Sequence, residues 1–174
     1  REPAGQEGEP GGAQVTEFAW HGYTVEVDEP ATRAWYAQAG GWSCDCGHCR
    51  NFLALAKERR LPEELLNILD GLGIPPEKAT YVCELYHDES WQEKGLLYQL
   101  CWRVAGKITG RPAGADDGPT WGPRVEFPWG GLELGSETFP VKPEFPAPHF
   151  DLGCDMFLPW VLDEPIDGPE EERK

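Results

Sequence analysis

Helical periodicity is confined to one stretch of this chain, and that restriction narrows the possible folds more than any other feature. Cys49, Phe52, Leu53 and Ala56 follow the i, i+3, i+4, i+7 spacing of one buried helix face, with Arg50, Lys57 and Arg59 left outside. The spacing predicts a helix over about 46–60, opened by Asp45 as N-cap, with Lys57, Arg59 and Arg60 complementing the dipole at its end. Pro62 suits the first position of a second helix over 62–72, and a tight connection around Leu61 joins the two. Its inward residues are Leu65, Leu66, Ile68, Leu69 and Leu72, and Gly71 or Gly73 stops it before Pro75-Pro76. Everything else reads as strand or turn. Tyr23, Val25 and Val27 alternate within a strand over 16–27. Further strands are predicted over 80–86, 96–109, 124–127 and 132–138, with the last inside 149–162. Residues 32–39 fit a helical turn or a strand equally well. One helix pair followed by strands without intervening helices predicts an α+β fold. The sheet should be mainly antiparallel, sandwich-like or curled, with consecutive helices near residues 46–72. The 21 glycines and 17 prolines suit such a turn-rich chain.

A chain of 174 residues is long enough for one domain with a sizeable core. Residues 1–14 hold no aromatic or large aliphatic side chain and read as a disordered lead-in, 15–162 as one globular domain, and 163–174 as a disordered acidic tail. The formal charge is −16; the two ends carry −2 and −4, so the central part keeps −10. That balance excludes nucleic acid as a partner, because phosphate binding needs a basic footprint. No stretch reaches the ~18 apolar residues of a membrane helix, and no signal-peptide pattern is visible. Cys83, Cys101 and Cys154 sit singly in apolar surroundings, as small hydrophobes do, so a reducing, cytoplasmic compartment is expected.

Explicit chemistry is concentrated in Cys44-Asp45-Cys46-Gly47-His48-Cys49. A Cys-x-Cys-x-x-Cys knuckle can supply three of the four zinc ligands in one turn. The fourth would be His48, a strand thiol (Cys83, Cys101 or Cys154), His87 or His149. Cys-Gly-His-Cys also matches the dithiol motif of protein disulfide isomerases, and a thiol at a helix start gains nucleophilicity from the dipole. The thioredoxin setting would further need a βαβ unit and a well-placed cis-proline, yet no proline lies between Pro76 and Pro112. The third reading is packing alone. Among eight tryptophans, Trp121 and Trp129 lie in turn-like Gly/Pro contexts and are the expected exposed pair, a candidate stacking surface. The four histidines are scattered, no nucleophile or phosphate-loop motif is present, and no active site can be assembled from the residues.

Four segments together resemble a family of small uncharacterised bacterial proteins: Cys44-Asp45-Cys46 with Cys49-Arg50-Asn51-Phe52, Gly73-Ile74-Pro75-Pro76-Glu77-Lys78, Gly106-Lys107-Ile108, and Pro159-Trp160-Val161-Leu162. The resemblance spans roughly residues 17–165. It implies a bacterial cytoplasmic domain in which the three clustered thiols act as a unit. Similar proteins carry His in the aromatic run before Gly106, where this chain has Trp102-Arg103-Val104. The resulting expectation is a binding or interaction domain, with a protein or small-molecule partner, that could hold a structural zinc at Cys44, Cys46 and Cys49. One alternative is a thiol-disulfide oxidoreductase using Cys46 and Cys49. The other is a carbohydrate or small-ligand module built on exposed Trp.

Overall fold

The computed structural model describes residues 14–114, 120–136 and 139–167. The expected lead-in, apart from Gln14, lies outside these residues, as do 137–138 of the fifth predicted strand and 168–174 of the expected tail. Chain order is β1 (Val15–Trp20), β2 (Tyr23–Asp28), α1 (Glu29–Gln38), α2 (Gly47–Lys57), α3 (Glu63–Leu72), β3 (Tyr81–Tyr86), α4 (Trp91–Lys94), β4 (Leu96–Gly110), β5 (Val125–Phe127), β6 (Gly130–Gly135) and β7 (His149–Leu158). The fold is α+β, built on one open, antiparallel, seven-stranded sheet in the order β1-β2-β4-β7-β6-β5, with β3 pairing the first half of β4. Among the described residues, no helix is long and apolar enough to cross a membrane.

One sequence expectation is corrected locally, and one open reading is decided. The single strand over 16–27 is a hairpin that turns at His21 and Gly22, both at positive φ, and the Trp20–Tyr23 pair closes it. The undecided segment after Pro30 is helix α1. Asp28 caps it by accepting from the Ala31 N–H at 3.0 Å, and its buried residues Thr32, Trp35 and Tyr36 fall at i, i+3, i+4. α2 and α3 appear where the period placed them, joined through 58–62, and Gly73 at φ +67 ends α3.

β4 organises the sheet. Leu96, Tyr98, Leu100, Trp102 and Val104 point to one face, and their β7 partners Leu158, Met156, Cys154, Leu152 and Phe150 share it. α2 covers this face, with Phe52 6.3 Å from Trp102. At Gly106 (φ +149) β4 leaves β7 and passes beside β2; a Cβ there would lie 2.0 Å from the Glu26 carbonyl oxygen, so only glycine fits. On the opposite face, the buried Arg103 forks onto the buried Asp151 at 2.9 and 3.2 Å and lies 4.8 Å over the Phe139 ring. Arg103 therefore fills a structural ion pair in the strand just before Gly106.

The sheet curls, as one of the two sequence alternatives required. The ring of His21 in the β1–β2 turn meets Phe127 of β5 edge-on at 4.9 Å, and the Tyr23 hydroxyl donates to the Pro123 carbonyl at 2.5 Å. The two ends of the strand order thus meet through side chains and not through a ladder.

Candidate metal centre

The knuckle forms because the chain must turn from the Gly40-Gly41 loop into α2. Cys46, not Asp45, is the N-cap; its backbone is extended and no side-chain bond caps the helix. Asp45 stays exposed and instead holds Arg50, whose Nε donates to the Asp45 carbonyl at 3.1 Å. An aspartate cap would put a carboxylate in the turn that Cys46 occupies. With cysteine there, the sulfurs of Cys44, Cys46 and Cys49 all lie within 4.8 Å of one another. Three thiolates on a tetrahedral zinc stand about 3.8 Å apart, so the cluster is near ligand spacing.

The three thiols are not equivalent. Cys44 is exposed, and the Cys46 backbone N–H, then the Cys46 and Cys49 thiols, hold its pKa below the ordinary cysteine value. Burial pushes Cys49 up to about 12, partly offset by the indole N–H of Trp42, which donates to its sulfur at 3.1 Å. An N–H aimed at sulfur is the outer hydrogen bond that orients a thiolate ligand. Among the described residues no fourth Cys, His, Asp or Glu comes within that distance of all three sulfurs. Cys83 faces its own strand at Glu84, while burial raises Cys101 to about 12 and Cys154 well above its ordinary value, so both behave as core residues. Among the described residues, none of the long-range fourth ligands that the sequence offered stands beside all three sulfurs.

His48, between the second and third thiols, turns away from them. It joins Glu84 and His87, whose ligand atoms also lie within 4.8 Å of one another. The sequence reading missed this grouping because nothing local connects the first turn of α2 to the end of β3. Its one sequence trace is Glu84-Leu85-Tyr86-His87, a carboxylate and an imidazole three residues apart as a strand ends.

The segment after β7 packs against α2, so the expected tail is placed through Asp167. The buried Asn51 donates to the Pro159 carbonyl at 3.0 Å and accepts from the Val161 N–H at 2.8 Å, and Arg50 forks onto Glu164. Trp160 in turn donates to the Glu164 carbonyl at 2.9 Å. The motif residues after Cys49 thus clip this segment to the helix.

The tryptophans expected at the surface are both half-buried. Trp121 lies against Gly135 and Gly153, and Trp129 stacks on Phe127 at 4.8 Å while donating to Glu64 at 3.0 Å. A different aromatic surface appears instead, a cleft of about 440 Å3 lined by Trp35, Trp42, Tyr81, Phe139, Lys78 and Lys142, among others. Trp42 belongs to both the cleft and the thiol cluster. Comparison with protein-family models, curated proteins and solved structures finds no match.

Proposed function

We propose that this chain is a metal-supported binding domain in which Cys44, Cys46 and Cys49 hold a zinc ion whose fourth position is left to an exogenous donor. The convergence of three sulfurs, with no fourth protein donor among the described residues, carries the reading. Closed four-ligand sites are structural, whereas three protein ligands and an open position mark sites that exchange a water or a ligand. The aromatic cleft that shares Trp42 with the cluster supports a small-molecule or side-chain partner, and Lys78 and Lys142 favour one carrying negative charge. The resemblance drawn from the sequence supports treating the three clustered thiols as one unit, its most specific block being the knuckle with Asn51 and Phe52. The oxidoreductase alternative has less support: the sheet around Cys46 is antiparallel, and Cys49, the intended partner thiol, is buried with a raised pKa.

Metal analysis of protein purified without chelator tests this reading, together with cobalt substitution. Cobalt should develop the intense near-ultraviolet band of thiolate ligation, and imidazole or a thiol added in solution should perturb it by entering the fourth position. Metal-free protein that folds normally and acquires no thiolate band with added cobalt would defeat the proposal.

A further inference from the structure

We propose that His48, Glu84 and His87 form a second divalent-metal site, one that takes a borderline first-row ion such as zinc through two imidazole nitrogens and a carboxylate. This site uses none of the thiols and goes beyond the function proposed above. Its geometry is specific at the level of single atoms. His87 Nδ1 stands 2.9 Å from Glu84 Oε1, and His48 Nδ1 stands 3.8 Å from Glu84 Oε2. Nitrogen and oxygen ligands of a tetrahedral zinc are about 3.3 Å apart, between these two values.

The outer partners fix both rings in the orientation a metal requires. His48 Nε2 lies 3.1 Å from the Ile166 carbonyl oxygen, which can only accept, so Nε2 carries the proton and Nδ1 presents its lone pair. His87 Nε2 lies 3.0 Å from Asp167 Oδ1 while its Nδ1 stands 2.9 Å from Glu84 Oε1, so both ring nitrogens face acceptors and a bound metal would displace the Nδ1 proton while Nε2 keeps its partner. An imidazole that donates its far N–H to a carbonyl or carboxylate while its near nitrogen faces the ion is the usual second layer of a metal site. The two Nδ1 atoms converge on the two Glu84 carboxylate oxygens, where one metal ion would take the place of the His87 proton. A single proton on His87 satisfies only one side and leaves His48 Nδ1 at 3.8 Å, beyond hydrogen-bond distance. One metal ion satisfies both.

The environment is consistent. The Glu84 side chain is 9% exposed, and among the described residues it pairs with no Lys or Arg, only with the two imidazoles. His48 and His87 side chains remain 30% and 19% exposed, enough for an ion to enter from solvent. Imidazole with carboxylate selects zinc and its first-row neighbours over magnesium or calcium, which prefer all-oxygen sites.

The test uses the whole chain, zinc as titrant and the ring nitrogens of His48 and His87 as reporters in long-range proton–nitrogen spectra. The expected result is that zinc shifts Nδ1 of both rings together while both Nε2 atoms stay protonated. Glu84→Gln, which preserves shape, should raise the zinc concentration needed for that shift by about tenfold or more. The cobalt–thiolate band reports the cysteine cluster separately, and Glu84→Gln should leave it unchanged. Imidazole resonances that ignore zinc while the thiolate band forms would overturn the second site and leave the first intact. A shift at His48 without one at His87 would also overturn it, since His48 would then be a fourth ligand of the thiol cluster. Equal zinc response in wild type and Glu84→Gln would remove the carboxylate from the ligand set and with it the proposal.

Discussion

At the scale of single residues, reactivity and stability are decided by who donates a hydrogen bond to whom. Cys44, with its pKa held down by the Cys46 N–H and exposed to solvent, presents more thiolate near neutral pH than Cys49, which burial holds near 12. Metal-free protein is therefore expected to alkylate at Cys44 well before Cys49, a site order that peptide mapping after timed iodoacetamide treatment reads directly. Saturating zinc should protect both. Trp42→Phe keeps the ring but removes the N–H to Cys49 sulfur, and competition with a chromophoric chelator should show zinc affinity falling about tenfold or more. Arg103 and Asp151 present a different case. Asp151→Asn leaves a guanidinium that is 1% exposed without its carboxylate, at a cost of about 3–5 kcal/mol in chemical denaturation. Arg103→Met together with Asp151→Leu should be far milder, because no unpaired charge is left behind. Burial raises the Asp151 pKa above its ordinary value despite Arg103, so in the acid range the folded protein binds this proton more tightly than the unfolded chain. This carboxyl's contribution to stability accordingly falls as pH rises through that window, and the pH slope it causes should vanish in Asp151→Asn.

At the scale of elements, α2 is the part that connects the site to the sheet. Its first turn carries the half-buried His48 and the buried Cys49 just after Cys46. Its next residues turn inward, where Asn51 bridges Pro159 and Val161 and Phe52 packs near Trp102. The Tyr98 hydroxyl of β4 donates to the His48 carbonyl at 2.7 Å, so the helix start is bonded to the central strand as well. Asn51→Ala would strand the Val161 N–H and the Pro159 carbonyl, with an expected loss of about 2–4 kcal/mol and a matching drop in thermal midpoint. Asn51 was legible in the sequence only as part of a motif; its task as a clip was not, because both partners lie more than a hundred residues away. α1 was undecided for a related reason. Three buried positions in a ten-residue helix are too few to set a period, and the Asp28 cap that settles the matter is visible only as geometry.

At the scale of the whole molecule, folding and metal binding should be linked. An ion held by thiols on both sides of the α2 N-terminus ties the preceding loop to the helix, and its binding free energy becomes folding free energy. A strong chelator is expected to lower the thermal midpoint by several degrees, and added zinc to restore it, in scanning calorimetry; an unchanged midpoint in protein that carried metal would contradict that linkage. The sequence by itself determined the local facts. These are two consecutive helices from a 3.6-residue period, strands from a two-residue period, an antiparallel sheet from the lack of crossover helices, and a thiol knuckle from adjacent spacing. Each depends on interactions within a few residues. Tertiary structure alone decided the curl that brings His21 to Phe127, the lack among the described residues of a fourth Cys, His, Asp or Glu beside the three thiols, the Arg103–Asp151 pair and the grouping of His48 with Glu84 and His87. Those are meetings between segments far apart in the chain, set by how the sheet twists and what each face must bury, and no local spacing encodes them.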